Sequence, residues 1–91
     1  MPQDIHHNAA RSRFETTVEG QLCVAEYRLA DGVMALTHTS VPPQLEGRGI
    51  AGELIAAALD HARAKQLKID PQCSFARAYV RRHPQTQSLL A

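Results

Sequence analysis

Alternating apolar and polar positions run through the first half of the chain and predict three β-strands. From residue 13, Phe14, Thr16 and Val18 fall on one face, with charged and polar side chains between them. Residues 23–29 alternate in the same way, and residues 33–41 begin with apolar side chains on both faces. Glycine-containing turn dipeptides, Glu-Gly and Asp-Gly, separate the three runs. The pattern predicts an antiparallel three-stranded meander.

The period changes to that of a helix near residue 50. Apolar side chains recur at the spacing of one helix face at Ala51, Leu54, Ile55, Ala58, Leu59 and Ala62. A short strand over residues 67–70 follows. A second helix is predicted over residues 75–83, because Pro84 disfavours helical backbone at the residue before it. The order β-β-β-α-β-α predicts a small α+β, or mixed α/β, domain.

Length and charge limit the possible functions. Ninety-one residues make one domain, which we expect over residues 12–91. Residues 1–11 are polar and without periodicity, so we expect a disordered lead-in there, including His6 and His7. The formal net charge of +1 gives no general reason to expect nucleic acid or a membrane surface as a partner. No apolar run approaches the roughly 18 residues of a membrane span.

The two cysteines and five histidines show no spacing typical of a metal site. The N-terminus has no apolar segment of the kind that a secretory signal has. We therefore expect two reduced thiols, a cytoplasmic location and no metal ion. Cys23 lies in the middle of a predicted strand among apolar residues, so we expect it to belong to the core.

The stretch PPQLEGRGIAGELI, from Pro42 to Ile55, raises a chemical question. Glycine near the start of a helix lowers helix stability. It also leaves the unpaired N–H groups of the first helical turn accessible to an anion, usually a phosphate. The glycine spacing fits neither a P-loop nor a dinucleotide-binding fingerprint. Two interpretations stay open from the residues alone: an anion site, and a flexible turn with no ligand.

The same stretch carries a family resemblance. Gln44-x-x-Gly47-x-Gly49 matches the Q/R-x-x-G-x-G/A motif of the Gcn5-related N-acetyltransferase (GNAT) superfamily. The segment from His38 to Pro84 resembles the small stand-alone branch of YjdJ/NATD1 type, through H-T-x-V-P before the motif and P-x-C-S-[FY] after it. The resemblance implies a minimal GNAT-like fold in which acetyl-CoA lies between two splayed parallel strands.

The resemblance also implies a set of coenzyme-binding residues. The pantetheine arm would lie beside the end of the third strand, and the pyrophosphate would rest on the amides of the loop. The expected residues are Thr39, Ser40, Val41, Gln44, Leu45, Glu46, Gly47, Arg48, Gly49, Ile50 and Ala51. Arg48 would add a charged contact to phosphate. The alternative for this arginine is a solvated side chain on the loop.

Three residues are candidates for the chemistry of acetyl transfer. Cys73 precedes a predicted helix, whose N-terminus favours a thiolate, so it is either a nucleophile or a lining residue. Tyr79 is a candidate general acid toward the departing thiolate, or a core tyrosine. His38, assigned to the face of Met34 and Leu36, is a candidate base, or a buried hydrogen-bonded histidine. Relatives of this branch often carry a carboxylate where this chain has Ser40, which points to altered catalysis.

The combined prediction is an enzyme, an N-acetyltransferase that uses acetyl-CoA as acyl donor. The acceptor would be an unidentified amine, on a small molecule or on a protein, and transfer would proceed directly or through Cys73. The alternative is a non-catalytic acyl-CoA-binding or regulatory module. We expect a monomer.

Overall fold

Five strands and two α-helices make up the part of the chain that the structure, a computed structural model, describes: residues 4–91. The strands are β1 (His6–Asn8), β2 (Arg13–Val18), β3 (Gln21–Ala30), β4 (Val33–Ser40) and β5 (Lys68–Pro71). The helices are α1 (Ile50–Ala64) and α2 (Ser74–Arg82), with short 3₁₀ turns at Ala9–Arg11, Pro43–Leu45 and Pro84–Leu89. The sheet order follows the chain, and β4 and β5 are parallel whereas the other neighbours are antiparallel. The predicted mixed α/β fold class is confirmed.

Two tight turns set the meander of β2, β3 and β4. Glu19 and Gly20 form the first turn and Asp31 and Gly32 the second, and all four residues have positive φ, between 51° and 76°. A two-residue hairpin loop with positive φ at both positions matches the right-handed twist of the strands that it joins. Asp-Gly therefore predicts the β3–β4 hairpin correctly.

The first strand corrects the expectation of a disordered lead-in. His6–Asn8 pairs antiparallel with β2, although the sequence shows no periodicity there. The His7 ring stacks on Phe14 at a centroid distance of 4.3 Å, and its Nε2 lies 2.6 Å from the Tyr27 hydroxyl. These contacts hold β1 in place. Because only one side chain of this short strand, that of His7, packs toward the core, the sequence of β1 shows no periodic pattern. The part of the expectation that concerns residues 1–3 lies outside the described residues.

Helix α1 packs its apolar face on one side of the sheet and closes the core. Leu54, Ile55, Ala58, Leu59 and Ala62 are buried, as their spacing predicts, and Ile50 is buried as well. The exception to the predicted face is Ala51, which is half-buried.

The C-terminal residues pair with β5, the edge strand of the sheet opposite to β1. There the Ala91 N–H donates to the Ile69 carbonyl at 2.9 Å.

A β-bulge in β4 changes which side chains face the core. Glu26 pairs with His38, but the next residue, Tyr27, pairs with Leu36, so Thr37 is an extra residue in β4. An extra residue reverses the alternation of the strand beyond it. As a result His38 is exposed and Thr39 is buried. The prediction that His38 lies on the face of Leu36 is wrong for this reason.

The parallel strands separate directly after Leu36. Their register ends at the pair Leu36 and Pro71, and the Leu36 carbonyl then accepts both the Gln72 N–H at 3.0 Å and the Cys73 N–H at 2.9 Å. Residues 37–40 of β4 continue beyond this point while the chain after β5 turns into α2. The pairing of β4 and β5 therefore ends here, in the two strands that the family resemblance implies to be parallel and splayed.

Candidate active site

A groove of about 450 Å³ lies between the start of α1 and one face of α2. Its first wall comes from the end of β4, the loop after it and α1, through Val41, Leu45, Glu46, Gly47, Gly49, Ile50, Ala51, Gly52 and Ile55. Its second wall comes from α2 and the residue after it, through Phe75, Ala78, Tyr79, Arg82 and His83. The glycine-containing loop and the start of α1 thus form one wall of the groove, and α2 forms the other.

The backbone of the loop explains both of its glycines. Gly47 and Gly49 have φ values of 84° and 80°, in the left-handed region that costs other residues energy. A Cβ built on either glycine meets no protein atom within 4 Å. Gly49 is the N-cap of α1, and no side chain among residues 4–91 caps that helix start by a hydrogen bond. The amides of the first turn therefore lack the side-chain partner that most helix starts have, and they border the groove.

The structure divides the predicted coenzyme-binding residues into two groups. Seven of them line the groove: Val41, Leu45, Glu46, Gly47, Gly49, Ile50 and Ala51. The other four lie outside its lining: Thr39, Ser40, Gln44 and Arg48. Arg48 donates from its Nη1 to the Glu19 carboxylate on the β2–β3 turn, and both side chains are about half exposed. The arginine expected to contact phosphate is thus engaged with a surface carboxylate.

The wall formed by α2 contains residues that sequence reasoning missed. Phe75 is 47% exposed, which is unusual for a phenylalanine, and Arg82 is the cationic side chain that reaches the groove. The positions 75, 78, 79 and 82 follow the i, i+3, i+4, i+7 spacing of one helix face. This spacing is the sequence signal that could have identified the wall. In a helix so short and so rich in charged residues, however, the same spacing is also typical of a solvent-exposed face.

Tyr79, the predicted general acid, lies in this wall against His83. Their rings stack at a centroid distance of 3.9 Å and an interplanar angle of 14°. His83 Nδ1 lies 2.9 Å from the Tyr79 backbone carbonyl, which can only accept, so this nitrogen carries the proton. The pair fixes the tyrosine ring at the groove surface.

Cys73 lies where the two parallel strands part. It is the N-cap residue of α2, and its Sγ accepts a hydrogen bond from the Ala76 N–H at 3.4 Å. The Thr39 hydroxyl lies 3.3 Å from the same sulfur. Val41 and Phe75, two residues beyond Thr39 and Cys73 respectively, both line the groove. Cys73 and Thr39 themselves are not among the residues that line the groove.

The second cysteine has a different environment. Cys23 has no exposed surface and belongs to the core, and burial raises the pKa of its thiol. Cys73 is half-buried, and neither cysteine is in a disulfide. Of the three predicted catalytic residues, Cys73 and Tyr79 lie at the groove or beside it, whereas the bulge turns His38 away from the core face.

Two classes of site have no counterpart in residues 4–91. No group of three or more His, Cys, Asp or Glu side chains in this range is placed to hold a metal ion. None of the helices in the described part of the chain is long and apolar enough to cross a membrane.

A family model agrees with this geometry. Residues 13–89 match the model described as GCN5-related N-acetyl-transferase. The match starts at the first residue of β2 and ends within the last 3₁₀ turn, so it includes both walls of the groove.

Individual proteins agree with the family model. Protein NATD1 from Gallus gallus and from Mus musculus are each 33% identical to this chain over 92 aligned positions, which cover 97% of this chain and 83% of each relative. Protein NATD1 from Homo sapiens is equally similar, with 80% of its length covered. The solution structure of a GCN5-like protein from Staphylococcus aureus superimposes with a TM-score of 0.77 at 27% identity, covering 99% of this chain and 89% of that one.

Proposed function

Because this chain belongs to the GCN5-related N-acetyltransferase family, we propose that it binds acetyl-CoA in the groove and transfers the acetyl group to an amine. The acceptor amine belongs to a small molecule or to a protein side chain. Acetyl-CoA is the acyl donor, and no metal ion takes part in this proposal.

The observation that carries the proposal is the start of α1. Gly47 and Gly49 contribute no Cβ atoms to the loop, and Gly49, the N-cap of α1, has no side chain that could cap the helix by a hydrogen bond. A helix N-terminus of this kind favours negative charge, because it combines unpaired N–H groups with the positive end of the helix dipole. Arg82 on the opposite wall adds a positive charge. This set of donors suits the pyrophosphate of coenzyme A.

The apolar part of the groove suits the rest of the coenzyme. Val41, Ile55 and the face of Phe75 line it, and apolar walls with a few polar groups are typical of cofactor sites. Cys73 lies just after the point where the pairing of β4 and β5 ends, two residues before Phe75 of the groove wall. In this proposal the pantetheine arm extends from the groove toward that point and brings the thioester close to the Cys73 sulfur.

Two routes of transfer fit this arrangement. In the covalent route, the Cys73 thiolate attacks the thioester carbonyl carbon, a new C–S bond forms, and the bond to the coenzyme sulfur breaks. The electron pair leaves on the coenzyme sulfur, which takes a proton, with Tyr79 as the proposed donor. The neutral amine then attacks the acetylated cysteine, a C–N bond forms, the Cys73 sulfur leaves with its electron pair, and the amine proton passes to solvent.

In the direct route the amine attacks the thioester itself, and Cys73 lines the site. His38 is not assigned a role in either route, because its side chain is exposed on the strand face opposite to Thr39. Ser40 is also exposed and supplies no carboxylate. The base that deprotonates the amine would then be solvent or a group on the acceptor.

Consumption of acetyl-CoA tests the proposal. Purified protein is incubated with acetyl-CoA and a panel of primary amines, polyamines and lysine peptides, and free coenzyme A is quantified by chromatography. Amine-dependent release of coenzyme A is the expected result. Binding by titration calorimetry without consumption with any amine would instead favour a non-catalytic acyl-CoA-binding module. Failure to bind acetyl-CoA would contradict both functions.

A further inference from the structure

The bulge at Thr37 has a specific effect on the side chain that follows it by two residues. Without the extra residue, the core-facing position after Leu36 would belong to His38. With it, that position belongs to Thr39, which pairs with Ala25 across β3 and is 7% exposed. A buried hydroxyl needs a hydrogen-bond partner, and in this structure its partner is the Cys73 sulfur at 3.3 Å.

The Cys73 sulfur therefore has two hydrogen-bond partners from different elements. The Ala76 N–H from the first turn of α2 approaches at 3.4 Å, and the Thr39 hydroxyl from β4 approaches at 3.3 Å. The Cys73 backbone is held as well, because its N–H donates to the Leu36 carbonyl at 2.9 Å. The position of the sulfur is thus determined by β4 and α2 together.

The hydroxyl suits both protonation states of the sulfur. A hydroxyl both donates and accepts, so it can accept the S–H of the neutral thiol and can rotate to donate to a thiolate. A hydrogen bond to an ionised group is stronger than a hydrogen bond between neutral groups. The Thr39 hydroxyl should therefore favour the ionised form of Cys73, in addition to the effect of the helix N-terminus.

The charged groups near Cys73 are the same in the original protein and in variants of Thr39. Gln72, next to Cys73, receives a hydrogen bond on its carbonyl from Arg77 and donates from its side chain to Asp70 at 2.8 Å. His38, the titratable residue next to Thr39, points to the opposite face of the sheet. These groups stay in place when Thr39 is replaced, so a change in reactivity is attributable to the hydroxyl.

We propose that Thr39 is a positioning residue for Cys73, and that its hydroxyl donates to the sulfur and increases the thiolate fraction at neutral pH. This deepens the proposed function, on which its catalytic meaning rests. The sequence motif assigns Thr39 to the coenzyme site, whereas the structure directs its side chain to the thiol. The bulge is the device that brings the hydroxyl there.

The test uses a small electrophile and needs no coenzyme. The full-length protein reacts with iodoacetamide across a pH series, and peptide mapping by mass spectrometry follows the label on Cys73 separately from that on buried Cys23. Thr39→Val, which removes the hydroxyl and keeps the shape, should react about tenfold more slowly at neutral pH, because it loses a hydrogen bond to a charged group. Its rate should approach that of the unmodified protein at high pH, and Thr39→Ser should behave like threonine.

Each outcome decides the proposal. A Thr39→Val profile that superimposes on the original profile would overturn it, and so would a profile lowered equally at every pH, which would indicate a change in access to the sulfur. Circular dichroism confirms that the variants are folded, and Thr39→Ala carries the same expectation if the valine variant is not. Titration with acetyl-CoA on the same proteins keeps the two proposals apart, because loss of coenzyme binding would leave the alkylation result unchanged.

Discussion

Replacement of Gly49 by alanine separates the chemistry of the loop from its backbone strain. Gly49 has a φ of 80°, and a left-handed backbone costs an alanine about 1–2 kcal/mol. The lower entropy of the unfolded chain offsets about 0.4–1 kcal/mol of this cost. The net loss of about 1 kcal/mol lowers the midpoint of thermal unfolding by about 4–8 °C in a domain of this size.

Gly32 provides a matched control. Its φ is 76°, and a Cβ built there meets no protein atom within 4 Å, as at Gly49. Gly32 belongs to the β3–β4 turn and does not line the groove. Gly32→Ala should therefore lose the same stability as Gly49→Ala, and any further difference between the two variants reports on the groove.

Coenzyme binding should show that difference. The Cβ of Gly49→Ala extends from a residue that lines the groove into space that no protein atom occupies. Loss of one charged hydrogen bond to phosphate costs about 1.5–3 kcal/mol, which weakens binding about tenfold to a hundredfold. Isothermal titration with acetyl-CoA on both folded variants measures this. Equal affinities for Gly49→Ala and Gly32→Ala would refute the assignment of phosphate to the loop.

Three further predictions concern other regions. Arg48→Ala should change acetyl-CoA affinity less than about twofold, because the exposed ion pair of Arg48 with Glu19 lies outside the groove. Arg82→Ala should weaken acetyl-CoA affinity about fivefold or more, because Arg82 lines the groove. Titration of both variants at two salt concentrations compares these effects. Ser40→Glu should leave turnover with a generic amine unchanged, because Ser40 is exposed on the same strand face as His38 and does not line the groove; raised turnover would show that a base at this position reaches the acceptor. Burial and the neighbouring His61 and His6 lower the pKa of His7 below its usual value. The unfolded chain therefore binds a proton at this histidine more readily than the folded protein does, and the free energy of unfolding should fall as the pH drops below about 6.5. Thermal unfolding of His7→Gln should depend less on pH in that range, and an equal dependence would show that other groups are responsible.

The strongly periodic elements were predictable from the sequence. Helix α1 buries one apolar face, and the Asp31-Gly32 turn adopts the positive φ values that its residue types favour. Both signals are local, since they depend on spacing within one element and on the conformations that single residues allow.

Other features depend on contacts that no local pattern records. Strand β1 is held by His7 against Phe14 and Tyr27, and these residues are distant in sequence. The bulge at Thr37 becomes visible only in the pairing of β4 with β3, because nothing in the run of polar residues from Thr37 to Ser40 marks one of them as extra. The wrong face for His38 and the unrecognised contact of Thr39 with Cys73 both follow from that one residue.

The candidate site was predictable on its loop side and largely missed on its helix side. Glycines at a helix start are a local signal, because they leave the N–H groups of the first helical turn accessible to an anion. Phe75 and Arg82 belong to a short helix with several arginines, and the sequence of such a helix is typical of a solvent-exposed surface. Only the position of α1 on the other side of the groove shows that this face is a groove wall.

Acetylation of the protein itself tests the central claim most directly. The protein is incubated with acetyl-CoA, quenched in acid to preserve a thioester, digested, and mapped by mass spectrometry, with and without an amine acceptor. Transfer in the groove through Cys73 predicts one acetyl group on Cys73, none on buried Cys23, and loss of the label together with acetylation of the amine when an acceptor is added. No label on Cys73, together with unchanged amine acetylation by Cys73→Ala, would contradict the covalent route and leave direct attack. The absence of both the label and any acetylated amine would contradict acetyl transfer altogether.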